Sequence, residues 1–266
     1  MAMTMVSSDV KRGRSGQRGA EGDSGGTASV LKALKLLEVF RSGDSTLGVT
    51  EIARRVEVPT STAYRLLAYL VEGGFVVKDG SKYRLGNRLF ALGNQVPLCQ
   101  PKGLREQVSP HLGELYAATG LTVKLGILEG LEVIILDKVA GLRTAPAPTA
   151  VGGRLPANCT SMGKALLAFG ENSLLLDSSQ LPRLTRYSIN SRELLERQFD
   201  EIRASRLSYG SEEAMIGQVC VASPIIQEGR AVAAISLSAR PNDPNLSRSI
   251  GALASAARQL ERSLVL

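Results

Sequence analysis

Histidine is almost missing from this 266-residue chain: His111 is the only one. Cysteine is scarce as well. Cys99, Cys159 and Cys220 lie far apart, and no Cys-x-x-Cys pair occurs. A structural zinc site draws its ligands from clustered cysteines and histidines, so no metal is expected, and no cofactor either. Three separated thiols suit a reducing cytoplasm better than a disulfide framework. No apolar run reaches about 18 residues, the minimum for a membrane span. The Ser/Gly/Arg-rich N-terminus lacks the apolar stretch of a secretory signal. A hydrolase needs a nucleophile with a base, and no nucleophile elbow at a strand-to-helix turn is read here. His111 reads as a surface or packing residue of a helix, and Lys164 as a solvated lysine in the first turn of another. No internal repeat is visible. The expectation is therefore a cytoplasmic protein that is not an enzyme.

What the chain does have is positive charge, unevenly spread. The net charge is +7. Residues 1–95 carry 14 Lys/Arg against 9 Asp/Glu, and the remainder 18 against 16. A basic excess in one region is the electrostatic footprint of a nucleic-acid binder. The competing reading is a solubilising tail, because Lys11, Arg12, Arg14 and Arg18 supply much of the excess.

The length admits two domains. Residues 1–26 have few large apolar side chains and read as a disordered basic tail. Structure is expected to start near Thr27 or Ser29, either of which would serve as an N-cap. A first helix follows, marked by Val30, Leu34, Leu37 and Phe40, and then a polar loop over Arg41–Leu47. Residues 27–86 form the expected first domain. Residues 87–102, a helix and then a stretch with Pro97 and Pro101, read as linker and hinge. Residues 103–266 read as a mixed α+β domain with hairpin-connected strands. Helices are expected over Leu104–Ala118, Ser161–Phe169, Ser191–Arg206 and Asn245–Leu264. Strands are expected over Leu121–Leu128, Val133–Val139, Val219–Ile226 and Ala231–Ala239, with a loop over Gly141–Arg154.

Residues 50–72 are the most informative stretch. Thr50–Val56 and Pro59–Glu72 read as two short amphipathic helices around a break at Glu57-Val58, with Pro59 at the first helical position of the second. In the second helix Ala63, Leu66, Leu67, Leu70 and Val71 follow the spacing of a buried stripe. Ser61, Tyr64 and Arg65 fall on the opposite face, with Thr62 beside them. Hydroxyls and a guanidinium there suit phosphates and base edges in a major groove. Gly73-Gly74 ends the helix as a left-handed cap would. Asp79-Gly80 then sits between two β-prone runs, a hairpin signal. Three helices and a hairpin make a winged helix. Its wing carries Lys78, Lys82 and Arg84, within reach of phosphates beside the groove or, on the plainer reading, merely solvated. Thr50, Ser61 and the wing would fix register on the DNA backbone, while Thr62, Tyr64 and Arg65 would read bases or nearby phosphates.

In the second half, Thr160-Ser161-Met162-Gly163 opens a helix whose free N–H groups suit a carboxylate. The alternative is a simple N-cap at Thr160 or Ser161. Ser236 and Ser238 share one strand face, which is either a ligand-facing or a solvated face.

Taken together, these runs resemble the IclR family of bacterial transcriptional regulators. In the first half the resemblance rests on Val30–Phe40, Thr50-Glu51-Ile52-Ala53, Pro59–Leu67 and Tyr83-Arg84-Leu85-Gly86. In the second it rests on Arg154-Leu155-Pro156, Gly163–Leu167, Glu212-Glu213, Gly217–Ile225 and Ala233–Ser238. It implies an N-terminal winged helix-turn-helix, a linker helix and a GAF-like effector-binding domain with an antiparallel sheet. It further implies a homodimer, with a tetramer as the alternative, that binds a palindromic double-stranded DNA operator. A small-molecule effector, expected to be a carboxylate, would contact Ser161, Met162, Gly210, Cys220, Ser236 and Ser238. Gly210 stands where some members carry an acidic residue. Met162 is bulkier than usual, and Asn158-Cys159 replaces a His-containing pair. These departures suggest an acid with some apolar bulk. Two rivals remain: a constitutive DNA-binding protein whose second domain only oligomerises, and a small-molecule enzyme with a DNA-binding appendage.

Overall fold

The computed structural model describes residues 24–100, 102–140, 149–170 and 181–265. The expected tail up to residue 23 and most of the 141–154 loop lie outside them. The chain divides into two compact units, with the boundary between Leu89 and Phe90.

The first unit packs α1 (Ser24–Glu38), α2 (Val49–Val56) and α3 (Thr60–Glu72) against a small antiparallel sheet. Its strands β1 (Leu47–Gly48), β2 (Val76–Asp79) and β3 (Lys82–Leu85) lie in the order β1-β3-β2. Leu36, Phe40, Leu47, Ile52, Ala63, Leu67, Val76 and Tyr83 form the core. Several local expectations shift. Helix α1 begins at Ser24, so Thr27 and Ser29 lie inside it rather than capping it. The sequence contains one Gly-x-Ser-x-Gly string, at residues 22–26, and its Ser24 is the first residue of α1. The core-facing positions of α1 are Leu36 and, in part, Ala33 and Leu37, whereas Val30 and Leu34 are exposed. A short 3-10 turn (Val39–Ser42) runs into the expected polar loop, which ends in β1, where Leu47 is buried.

The turn between α2 and α3 places Glu57 in the left-handed region at φ 58°. Pro59 is the N-cap of α3, one position earlier than expected, and its carbonyl accepts the Ala63 N–H. Val71 falls outside the buried stripe of α3. At the other end of α3, Gly74 takes φ 73°. The Phe75 N–H donates to the Leu70 carbonyl and the Gly74 N–H to Val71. These two bonds make a Schellman cap. Helix α4 (Asn87–Gly93) follows the hairpin.

The second unit is a three-layer α/β/α structure. Its six-stranded antiparallel sheet has the order β6-β5-β4-β9-β8-β7. The strands are β4 (Thr122–Glu129), β5 (Glu132–Val139), β6 (Arg154–Pro156), β7 (Ser208–Ser211), β8 (Val219–Gln227) and β9 (Arg230–Ala239). One face packs on α5 (Leu104–Thr119) and α8 (Pro244–Ser263) through Val108, Leu112, Val123, Leu125, Ile235 and Leu253. The other packs on α6 (Ser161–Ala168) and α7 (Arg192–Ser205) through Met162, Leu166, Phe199, Ala222 and Ala234. Leu194 of α7 is exposed, contrary to its expected inward position.

Candidate functional site

The exposed face of α3 carries Ser61, Tyr64 and Arg65, with Thr62 half-buried on its flank. Thr50 is exposed on the first turn of α2. Burial of Ala63, Leu66 and Leu67 fixes this orientation, because the opposite face of the helix must then point outward. Pleat alternation divides the wing. Lys78 pairs with buried Tyr83 and lies on the core side of the hairpin, while Lys82 and Arg84 lie on its other face. The Lys78 Nζ sits 5.8 Å from the centre of the Tyr64 ring. Hairpin and α3 thus join in one surface through Lys78, and Lys82 and Arg84 extend from the hairpin's far side. Gly86 permits this docking: a Cβ there would lie 2.3 Å from the Gly74 carbonyl oxygen.

Beside α3, Glu51 holds a cluster on α2. Arg54 reaches it at 2.7 Å and Arg55 at 2.6 Å, and Arg55 also binds Asp44 at 2.7 Å. Hydrogen bonds from Arg54 and then Arg55 hold the Glu51 carboxyl down to about 2. The carboxylate is therefore charged throughout the physiological range and orients both guanidinium groups.

The second candidate site lies on the α6 side of the large sheet. Strand register sets the expected residues in two rows of neighbours. One row runs Thr122 (β4), Ser238 (β9), Cys220 (β8), Gly210 (β7), and the next runs Lys138 (β5), Lys124 (β4), Ser236 (β9), Ala222 (β8), Ser208 (β7). The start of α6 closes over them. A Cβ on Gly210 would meet the Ser161 backbone nitrogen at 3.4 Å and the Cys220 Sγ at 3.9 Å. Met162 reaches toward β4, with its Sδ 3.2 Å from the position of a Cβ on Gly126. Of the six residues named from the resemblance, Gly210, Cys220, Ser236 and Ser238 therefore fall on one sheet face, and Ser161 and Met162 form the helix start above it. Ser161, Met162, Ser236 and Ser238 are buried. Burial pushes the Cys220 thiol up, opposed by Lys124 and by hydrogen bonding to Ser238 and Ser161.

Two features fix the start of α6. The Thr160 Oγ1 caps it by accepting the Gly163 N–H at 2.9 Å. Gly163 itself has no room for a side chain, since a Cβ would lie 2.2 Å from the Ala157 carbonyl oxygen. The cap role thus belongs to Thr160, which leaves Ser161 in the first helical turn.

Lys164 is not solvated, as its first-turn position had suggested. It is fully buried and bonds Glu213 at 2.7 Å and Gln198 at 2.8 Å. Sequence reasoning also passed over Lys124. It occupies the polar phase of an alternating strand, Leu121-Thr122-Val123-Lys124-Leu125, which reads as a solvated face. Here both faces of the sheet are covered, and Lys124 is 4 % exposed. His111 sits on α5 with its Nδ1 3.5 Å from Glu114, and α5 packs on the sheet face opposite α6. Among the described residues, no group of three His, Cys, Asp or Glu side chains is placed to hold a metal.

Comparison with known proteins agrees with both halves. Residues 29–80 match the IclR helix-turn-helix domain, and residues 98–262 match the bacterial transcriptional regulator IclR C-terminal domain. The chain is 34% identical over 245 residues to the HTH-type transcriptional regulator XynR of Escherichia coli, covering 89% of this chain and 96% of that protein. It is 30% identical to the transcriptional repressor IclR of Escherichia coli, covering 86% and 85%. A crystal structure of an IclR homologue from Microbacterium hydrocarbonoxydans, complexed with 4-hydroxybenzoate, superposes with a TM-score of 0.79. Its identity is 26%, over 89% of this chain and 98% of that one. An exposed helix-turn-helix with its wing, a covered polar sheet face, and both domain matches in the same order lead to one assignment: the chain belongs to the IclR family of transcriptional regulators.

Proposed function

We propose that this regulator binds a palindromic operator as a homodimer, controls a catabolic operon and senses a small organic acid. The observation that carries the DNA half is the shared surface of Tyr64, Arg65 and Lys78 on α3 and the wing. Thr62, Tyr64 and Arg65 read base edges or adjacent phosphates. Thr50, Ser61, Lys82 and Arg84 set register on the backbone. Self-association is supported by an apolar stripe on α1, where Val30, Leu31 and Leu34 are 61, 56 and 52 % exposed. Such a stripe is a liability unless it is covered. A two-fold dimer calls for half-sites related by the same symmetry.

The effector half rests on the buried set Ser161, Met162, Gly210, Cys220, Ser236 and Ser238. The Microbacterium hydrocarbonoxydans homologue binds an aromatic acid, and an aromatic or aliphatic acid with some apolar bulk suits the Met162 wall here. The effector shifts the population between DNA-competent and incompetent states, which requires different affinities for the two. Fluorescence anisotropy with the intergenic DNA beside the gene tests this. Arg65→Ala is expected to weaken binding at least tenfold with an unchanged melting curve. Equal affinity of variant and wild type removes Arg65 from the interface. If no organic acid changes the affinity of the wild type, the sensing half is wrong and the constitutive rival gains.

A further inference from the structure

Lys124 is a buried cation without a counter-ion among the described residues. No acidic side chain among the described residues bonds it, and its neighbour across the β4–β5 pair is another cation, Lys138. The Lys138 Nζ donates to the Thr149 carbonyl at 3.2 Å, which does not neutralise it. On the other side of Lys124 stand the uncharged Ser236 and then Ala222. Burial holds the Lys124 ammonium below the ordinary lysine range. The Cys220 thiol opposes this and Lys138 adds to it. Isolated buried charge costs several kcal/mol unless it is paired, so a residue of this kind calls for a partner that the fold itself does not supply. Two more polar atoms on this face, Thr122 Oγ1 and Ser208 Oγ, are buried without a hydrogen-bond partner among the described residues. The site therefore has two places for negative charge. One is the start of α6, where Ser161 and Met162 present N–H groups beside Gly210. The other is Lys124. Cys220 adjoins Ser161, and Lys124 stands two strands away in the neighbouring row.

We propose that the effector is a dicarboxylate held at both ends, with one carboxylate on the first turn of α6 and the other on Lys124, flanked by the Ser236 and Ser238 hydroxyls. This rests on the reading of the second unit as an effector domain and goes beyond it by fixing the charge and span of the ligand. From β7 to β4 the sheet crosses three strand spacings, roughly 14 Å. The reach of the lysine side chain shortens that to the length of a diacid of about four to six carbons. Between the two ends the groups on this face, Ala222, Ala234 and Met162, are small or apolar.

The test is calorimetric titration of the full-length protein with succinate, glutarate and adipate, each against its monoacid of equal chain length, and with 4-hydroxybenzoate. The wild type is expected to bind at least one diacid tenfold or more tighter than its monoacid. Lys124→Met should erase that preference, while Lys124→Arg should retain it. Without ligand, Lys124→Met is expected to raise the melting temperature, because it exchanges an unpaired buried charge for an apolar chain. A lowered melting temperature would make Lys124 a structural residue and overturn the proposal. So would equal binding of mono- and diacids by the wild type, or a diacid preference that survives Lys124→Met. Those results leave acid sensing itself intact. Failure of the wild type to bind any of the acids would count against the sensor reading and take this proposal with it.

Discussion

Two buried lysines in the second unit show how differently one residue type can be used. Lys164 bonds both Glu213 and Gln198, and Lys124 has no acidic partner among the described residues. Removing one half of the Lys164–Glu213 pair leaves a buried charge. Lys164→Met is therefore expected to cost about 3–5 kcal/mol in urea unfolding. The double variant Lys164→Met/Glu213→Leu should recover most of that loss. If the double variant is no more stable than the single, the pair is not the source of the effect. The same chemistry explains the misreading of Lys164 as solvated. Its partner comes from residue 213, a long way along the chain, and nothing local to α6 announces it.

At the scale of elements, the helix-turn-helix contains one strained position. Glu57 holds a left-handed conformation that costs an L-residue roughly 1–2 kcal/mol relative to glycine. Part of this is offset by the greater unfolded-state freedom of glycine. Glu57→Gly is thus expected to stabilise the first unit by up to about 1 kcal/mol, read as a rise in its melting temperature with operator affinity retained. A fall would mean that the Glu57 side chain contributes more than the strain costs.

The elements most legible in the sequence were those with strong local signals. The Asp79-Gly80 hairpin, the Gly73-Gly74 end of α3 and the long periodic helices α5, α7 and α8 lie within a residue or two of their expected bounds. Short edge strands left little trace. Strand β1 has two residues and β6 three, and β7 is a four-residue strand containing Gly210. These form because a neighbouring strand offers a free edge, which is not a property of their own residues. The failure at Lys124 has the same root. A period of two reports that a strand has two unlike faces. It does not report whether water or a helix covers the polar one.

At the scale of the whole molecule, the two units have separate cores. One comprises Leu36, Ile52, Leu67 and their neighbours, and the others lie on the two faces of the large sheet. Separate cores predict separate unfolding steps. Calorimetry is expected to resolve two transitions, with an added effector raising only the one that belongs to residues 90–266. A single transition that shifts as a whole would show that the units unfold as one.

The order of strands in the large sheet has a consequence for synthesis. Its central pair joins β4 to β9, so the first strand of the second unit waits for the last. Every pairing within the first unit is complete by Leu85, and the sheet of the second needs the chain as far as Ala239. At ribosomal speeds of about 5–20 residues per second, some 150 residues take roughly 8–30 s. During that interval a nascent chain can fold its winged helix while the sheet that would carry the effector is incomplete. The DNA-binding half of this regulator is made before the half that controls it.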